Sequence, residues 1–263
     1  MIRSFINASI AAVIAGPFFC FVFLTSILFF PIALLIWFVT ILFDKRLRWL
    51  HQFTCFWASL YLWVFPLWSI TVHGREKIEK DKTYVMVSNH QSLVDILAAF
   101  TLFTHFKWVS NPDLFNIPLI GWNMRLNRYV RLERGKKRSI KKMYKSCEKN
   151  LKRGNSIFLF PEGIRSIGDK IKPFREGAFV LAKRREVPIL PLVISGSSSA
   201  LPEKGWIFPG RANIEITILD EISPDSFQDI TSKNLALRTR DIISTELNNK
   251  MSTQVAHKPL HNK

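Results

Sequence analysis

The first long pattern in the chain is apolar and has no polar period. From Asn7 to Phe43 there is no Asp, Glu, Lys, Arg or His, and Ala8–Phe43 is filled mainly with Ile, Leu, Phe, Val and Ala. A spanning helix takes about 20 apolar residues, so this run is too long for one ordinary span and short for two. Pro17 and Pro31 interrupt it, and each removes a backbone donor and favours a kink or break. The pattern predicts one tilted or broken span, or a pair of helices dipping into one leaflet. A signal peptide fits less well, because its apolar region runs to only about 7–15 residues and ends in a small-residue cleavage site. Here Asp44, Lys45 and Arg46 follow instead, so the segment is expected to be retained. Lys45, Arg46 and Arg48 place that end, and the domain beyond it, on the cytoplasmic side by the positive-inside rule.

A second apolar stretch, Phe53 to Ile70, carries Trp57, Tyr61, Trp63, Phe65 and Trp68. Rings of this kind favour the membrane–water boundary. An interfacial helix is expected, with a buried domain helix as the alternative. After Val72 the texture becomes that of an α/β domain. β-rich runs occur at Tyr84–Ser88, Phe106–Ser110, Tyr129–Leu132, Ile157–Phe160, Ile189–Ser195 and Ile214–Leu219. Helical patterns fall at Asp95–Thr104, Lys137–Arg153, Glu176–Arg185 and Ser232–Lys250. Strands alternating with helices predict a mostly parallel sheet flanked by helices. The expected division is an anchoring segment at 1–71, a catalytic domain at 72–250 and a polar tail at 251–263.

Composition and charge narrow the function classes. The 263 residues carry 37 Lys and Arg against 20 Asp and Glu, yet 48% of them are hydrophobic. A disordered basic chain lacks so much apolar material, and a polytopic transporter would need more uncharged runs. Residues 131–153 alone hold eleven Lys and Arg against Glu133 and Glu148. Such a block is a solvated helix face, or a contact for an anionic membrane surface or an acidic donor protein. Nucleic acid is disfavoured, because no recognition motif accompanies the basic run. Cys20, Cys55 and Cys147 match no metal or disulfide pattern.

Candidate chemistry gathers in two short segments. In Asn89-His90-Gln91-Ser92-Leu93-Val94-Asp95 a β-rich run ends in a polar cluster before a helix, and strand-to-helix corners of this kind carry catalytic groups. On a straight helix His90 and Asp95 would point about 140° apart. They meet only if His90 lies in the turn ahead of the helix. Asp95 would then hold the imidazole in one tautomer, leaving the other nitrogen to take a proton from a hydroxyl. The second segment, Phe160-Pro161-Glu162-Gly163-Ile164-Arg165-Ser166, offers a guanidinium and exposed amides suited to a phosphate. Its carboxylate suits a glycerol hydroxyl or the fixing of Arg165. Lys172–Ala178 and Val187–Pro191 look like joints between elements. The Ser-rich stretch Ser195–Ser199 lacks the G-x-S-x-G elbow of a serine hydrolase.

Together, in this order and at this separation, the two segments resemble those of the phospholipid-synthesis acyltransferases, with 1-acylglycerol-3-phosphate acyltransferases the nearest fit. The resemblance runs from about Val72 to Pro191 and takes in Leu114–Trp122 and Leu132–Gly135. It implies a glycerolphosphate acyltransferase-like α/β fold behind a membrane-tethering helical segment. It also implies transfer of a fatty acyl group from acyl-CoA or acyl-carrier protein to the free hydroxyl of a lysophospholipid, giving phosphatidic acid when the acceptor is 1-acyl-glycerol-3-phosphate. His90 would be the general base, Asp95 its orienting partner, and Arg134, Glu162, Gly163 and Arg165 the acceptor-binding residues. No metal or redox cofactor is implied. Two positions depart from the pattern: Ile164 stands where Thr is usual, and Asn111 where Lys is common. They leave other lysophospholipid headgroups open as acceptors. A non-catalytic protein that binds anionic lipid is the alternative from a different class.

Overall fold

The structure is a computed structural model that describes residues 2–166, 171–201 and 210–256. Its first element, α1, is one continuous helix over Ile2–Thr40 with Pro17 and Pro31 inside it. Of the expected alternatives, the single span is the one present, and neither a break nor a pair of helices occurs at the prolines. Each proline costs one backbone bond and some local strain, and the uninterrupted apolar turns on both sides carry the helix through. Ala15–Thr40 is long and apolar enough to cross a membrane by length and composition, and only 11% of its most apolar window is buried.

A short turn leads to α2 (Arg48–Val64), which runs back along α1. One side of α2 is buried through Leu50, Cys55, Ala58 and Leu62, while Trp49, Phe56 and Trp63 are exposed. So it joins the two expected roles, domain helix on one side and aromatic surface on the other. The chain then enters β1 (Trp68–His73). This strand lies partly within the stretch expected to be helical and starts ahead of the expected domain boundary at residue 72. It was overlooked because its apolar residues continue the aromatic run without a polar break.

The remaining elements are β2 (Val85–Ser88), α3 (Val94–Phe100), β3 (Phe106–Ser110), α4 (Ile120–Leu126), β4 (Val130–Arg131), α5 (Lys137–Lys152), β5 (Ser156–Leu159), α6 (Gly177–Arg185), β6 (Ile189–Ser195), β7 (Ala212–Ile218) and α7 (Ser232–Ala256). Helix α7 carries on into the expected tail, and residues 257–263 lie outside the described residues. The strands form one sheet in the order β1-β7-β6-β2-β5-β3-β4. All neighbours are parallel except β6 and β7, so the mostly parallel sheet flanked by helices is present.

Because strand side chains alternate between faces, the sheet has two cores. Met86, Phe106, Trp108, Phe158, Leu192 and Ile214 point to one face, where they meet α2 and α3. Val85, Val87, Ile157, Ile189 and Val193 point to the other, under α5, α6 and α7. Helix α1 lies outside the first layer, packing Phe18 on Phe65 and Trp68 and leaving Phe23, Leu24, Leu28, Leu35 and Phe38 exposed. The hairpin of α1 and α2 is tied down at the amino end of β3. There His51 Nε2–H donates to the Thr104 carbonyl at 2.9 Å, the Tyr129 hydroxyl donates to His51 Nδ1 at 2.8 Å, and Gln52 Nε2 donates to Phe103 O at 2.9 Å. The carboxyl ends of the parallel strands are left for the site.

Candidate active site

Strand β2 ends at Ser88 and α3 starts at Val94, so His90 and Asp95 flank a turn. Asn89 fixes the exit of β2 like one more rung of the ladder: its side chain donates to Ile194 O at 2.7 Å and accepts from Ile194 N–H at 2.9 Å. Asp95 Oδ2 then gathers three donors, Gln91 N–H at 2.7 Å, Ser92 N–H at 2.8 Å and His90 Nδ1–H at 2.8 Å. The same carboxylate oxygen shapes the turn and holds the imidazole. Asp95 is fully buried and His90 is 8% exposed. With Nδ1 committed as donor, Nε2 carries the lone pair.

The segment after β5 closes over this pair. The Phe160 ring lies flat on the imidazole, with centroids 3.9 Å apart and planes within 7°. Glu162 is buried, and its carboxylate accepts from His90 N–H at 2.7 Å, from Lys172 N–H at 2.8 Å and from the Ser166 hydroxyl. Ser166 N–H in turn donates to His90 O at 2.7 Å. Oε1 therefore holds the loop that bears His90, and Oε2 holds its own loop together at Ser166 and Lys172. Among the described residues its bonds go to backbone amides and a hydroxyl, and Arg165 is not among its partners. Gly163 has a positive φ of 81°, and a Cβ there would lie 2.8 Å from Arg175 Nε, so only glycine fits between that turn and the guanidinium.

Arg165 is half-buried, and its carbonyl accepts from Lys172 Nζ at 2.6 Å. Arg134 follows β4 and is exposed. Burial of part of its side chain lowers its pKa, and the neighbouring positive charge of Arg175 adds to this. Among the described residues neither guanidinium forms a carboxylate pair, and two positive charges that repel each other favour an anion nearby. Arg175 was missed by sequence reasoning, which saw its segment only as a joint. The local signal was the Lys172-Pro173-Phe174-Arg175 cluster itself, which gave no hint of its distant partners. Ile164 is 51% exposed, and the Asn111 side chain donates to Asp113 Oδ2 at 2.9 Å.

An acyltransferase family model matches residues 69–195. A probable 1-acyl-sn-glycerol-3-phosphate acyltransferase of Mycoplasma genitalium is 30% identical over 200 residues, covering 71% of this chain and 73% of the relative. The chain belongs to the 1-acyl-sn-glycerol-3-phosphate acyltransferase family. The chain is also 34% identical over 206 residues to a chloroplastic family member of Arabidopsis thaliana, covering 77% of its own length. It spans only 57% of that relative, and between about half and two thirds of the plant and algal relatives generally. The crystal structure of the 1-acyl-sn-glycerophosphate (LPA) acyltransferase PlsC from Thermotoga maritima shares this fold, with a TM-score of 0.76, 21% identity and coverage of 95% of this chain and 98% of that one.

Proposed function

We propose that the protein is a membrane-associated acyltransferase that acylates the free hydroxyl of 1-acyl-glycerol-3-phosphate to give phosphatidic acid. The observation that carries this reading is the buried His90–Asp95 pair, its Nε2 lone pair available, next to a segment rich in guanidinium groups. A phosphomonoester needs cations, supplied by Arg134, Arg165 and Arg175. A neutral alcohol needs a base. His90 Nε2 takes the hydroxyl proton as the oxygen attacks the thioester carbonyl, and Asp95 steadies the imidazolium that forms. The tetrahedral intermediate collapses with breakage of the C–S bond, and the proton passes from His90 to the departing thiolate. The ester and a free thiol are the products, and the histidine returns to its starting state without an acyl-enzyme.

The thioester carries its own activation, so no metal or redox cofactor enters these steps; acyl-CoA or acyl-carrier protein serves as co-substrate. The exposed apolar side chains of α1 and α2 support association with a bilayer, with the catalytic domain on the cytoplasmic side by the charges at Lys45, Arg46 and Arg48. Glu162 and Gly163 act by shaping the loop around His90 and Arg175.

The test is acyl transfer by the purified protein and its His90→Ala variant to a panel of lysophospholipids, with both donor types. Expected is transfer to 1-acyl-glycerol-3-phosphate that falls about 10²–10⁴-fold in the variant. Undiminished transfer by His90→Ala would overturn the base assignment, and faster transfer to another headgroup would reassign the acceptor.

A further inference from the structure

A cleft of about 700 Å³ lies between β4 and α5, outside the groups used above. Its walls carry Arg131, Lys136, Arg138, Lys142, Lys149 and Arg153. Glu133 is the one carboxylate in its lining, and it is paired with Lys136. The other acid of the block, Glu148, turns toward α6 and pairs with Arg184 at 3.3 Å. Among the described residues no carboxylate pairs with Arg131, Arg138, Lys142, Lys149 or Arg153. Like charges one turn apart on a helix repel, as Arg138 and Lys142 do, and Lys149 and Arg153. A polyanion in the cleft would relieve both.

Three observations choose among polyanions. First, α5 lies on the opposite face of the sheet from α2 and α3, and α1 with its exposed apolar side chains packs outside that other layer. The exposed apolar faces of α1 and α2 therefore look away from this cleft across the sheet, and only the α1–α2 turn reaches its Arg153 end, where Arg46 Nε donates to Asn155 Oδ1 at 3.3 Å. Second, the cations are spread from Lys136 to Arg153, about 25 Å along a helix, farther than the phosphates of one nucleotide reach. Third, one end of the cleft is the Glu133–Lys136 turn, which contains Arg134 of the candidate site.

We propose that this cleft docks an acidic acyl carrier protein, which presents its acyl thioester to His90 past the Glu133–Lys136 turn. The proposal rests on the acyltransferase reading and adds the donor and its landing surface to it.

The experiment compares two charge-reversed triples of the full chain. One is Arg138→Glu/Lys142→Glu/Lys149→Glu in the cleft. The other is Lys137→Glu/Lys141→Glu/Lys145→Glu, which makes the same change on exposed positions of α5 outside the lining. Rates are measured with palmitoyl-acyl carrier protein and with palmitoyl-CoA, and co-sedimentation with phosphatidylglycerol vesicles is measured in parallel. Expected for the cleft triple is a rise of at least about tenfold in KM for the carrier-protein donor and a weaker salt dependence. Its kcat/KM for palmitoyl-CoA and its vesicle binding should stay within about twofold of wild type, as should all values of the second triple. An equal loss in both triples, an equal loss with palmitoyl-CoA, or an unchanged carrier-protein KM with lost vesicle binding would each overturn the proposal. Wild type that uses palmitoyl-CoA but not the carrier protein would overturn the docking alone. Wild type that uses neither would overturn the reaction as well.

Discussion

Replacing Glu162 by Gln separates a residue that holds the catalytic loop from one that binds the acceptor. The carboxylate oxygens face only donors: His90 N–H on one side, and Lys172 N–H with the Ser166 hydroxyl on the other. An amide keeps the shape but has one acceptor oxygen and turns an NH2 group toward the other side. With the NH2 toward His90, two N–H groups oppose each other. With it toward Lys172, the serine hydroxyl can rotate to accept, and the Lys172 amide is orphaned. A buried donor left without an acceptor costs about 1–3 kcal/mol, and each charge-assisted bond lost adds to that. A destabilisation of about 3 kcal/mol is expected, which lowers Tm by about 6–12 °C in a protein of this size. Because the loop also carries Phe160 over the imidazole, loosening it displaces His90, and a shift of about 1 Å can lower kcat about 10²-fold. The assay is initial rate against acceptor concentration at saturating donor, paired with a thermal melt. A kcat loss with acceptor KM within about threefold is the expected split. An acceptor KM raised tenfold, with kcat and Tm unchanged, would refute the reasoning and return Glu162 to the acceptor.

Asp95→Asn should lower kcat by about 10³–10⁴, since it withdraws the charge that steadies the imidazolium and can fix the wrong tautomer; a loss below tenfold would show that the pair is not the working base. Arg175→Ala should raise KM about tenfold for a phosphomonoester acceptor and leave KM for the acyl donor unchanged, checked by varying each substrate in turn. The third expectation concerns pH. Lys107 is 1% exposed, its Nζ has no hydrogen-bond partner among the described residues, and burial lowers its pKa to about 7, with Asp44 opposing that shift and Arg128 adding to it. Between pH 7 and the free value of about 10.4 the unfolded chain holds more protons than the native one, so stability rises with pH across that window. Lys107→Met should therefore stabilise the protein below pH 7, by up to the order of 5 kcal/mol, with the gain fading toward pH 10, as followed by urea unfolding. Burial also lowers the His105 pKa to about 3, so native stability should fall as pH drops from 6.5 toward 3.

The local patterns made most of the catalytic domain legible. Strands β3 and β6 were read at their observed limits, because β-branched and aromatic runs bounded by polar turns have few other solutions. The His90–Asp95 turn could be anticipated because five residues of helix would keep the two side chains apart, which left only a bend. Contacts between distant segments were hidden. Nothing near Glu162 says that its carboxylate caps the His90 amide, since that bond depends on β2 and β5 being neighbours in the sheet. Arg175 meets Arg134 only through tertiary folding, and β1 was masked by the aromatic stretch that leads into it. The sequence left α1 open between one span and two helices, because proline weakens a helix without ending it where long apolar turns lie on both sides.

The pairing of β1 with β7 has a consequence for biosynthesis. Ser69 lies directly opposite Asn213, and their side chains are hydrogen-bonded across a separation of 144 residues. At about 5–20 residues per second, roughly 7–30 s pass between the emergence of the two strands from the ribosome. During that time α1 and α2 are already free to enter a bilayer, while the strand that follows them has no sheet to join. Unpaired strands are prone to pair with the wrong chain, so the nascent chain passes through an interval in which its apolar helices are made and its first strand is exposed. Only Ser69, Thr71 and His73 break the apolar character of that strand, so α1 and α2, which precede it, are the cover at hand until the last strand arrives.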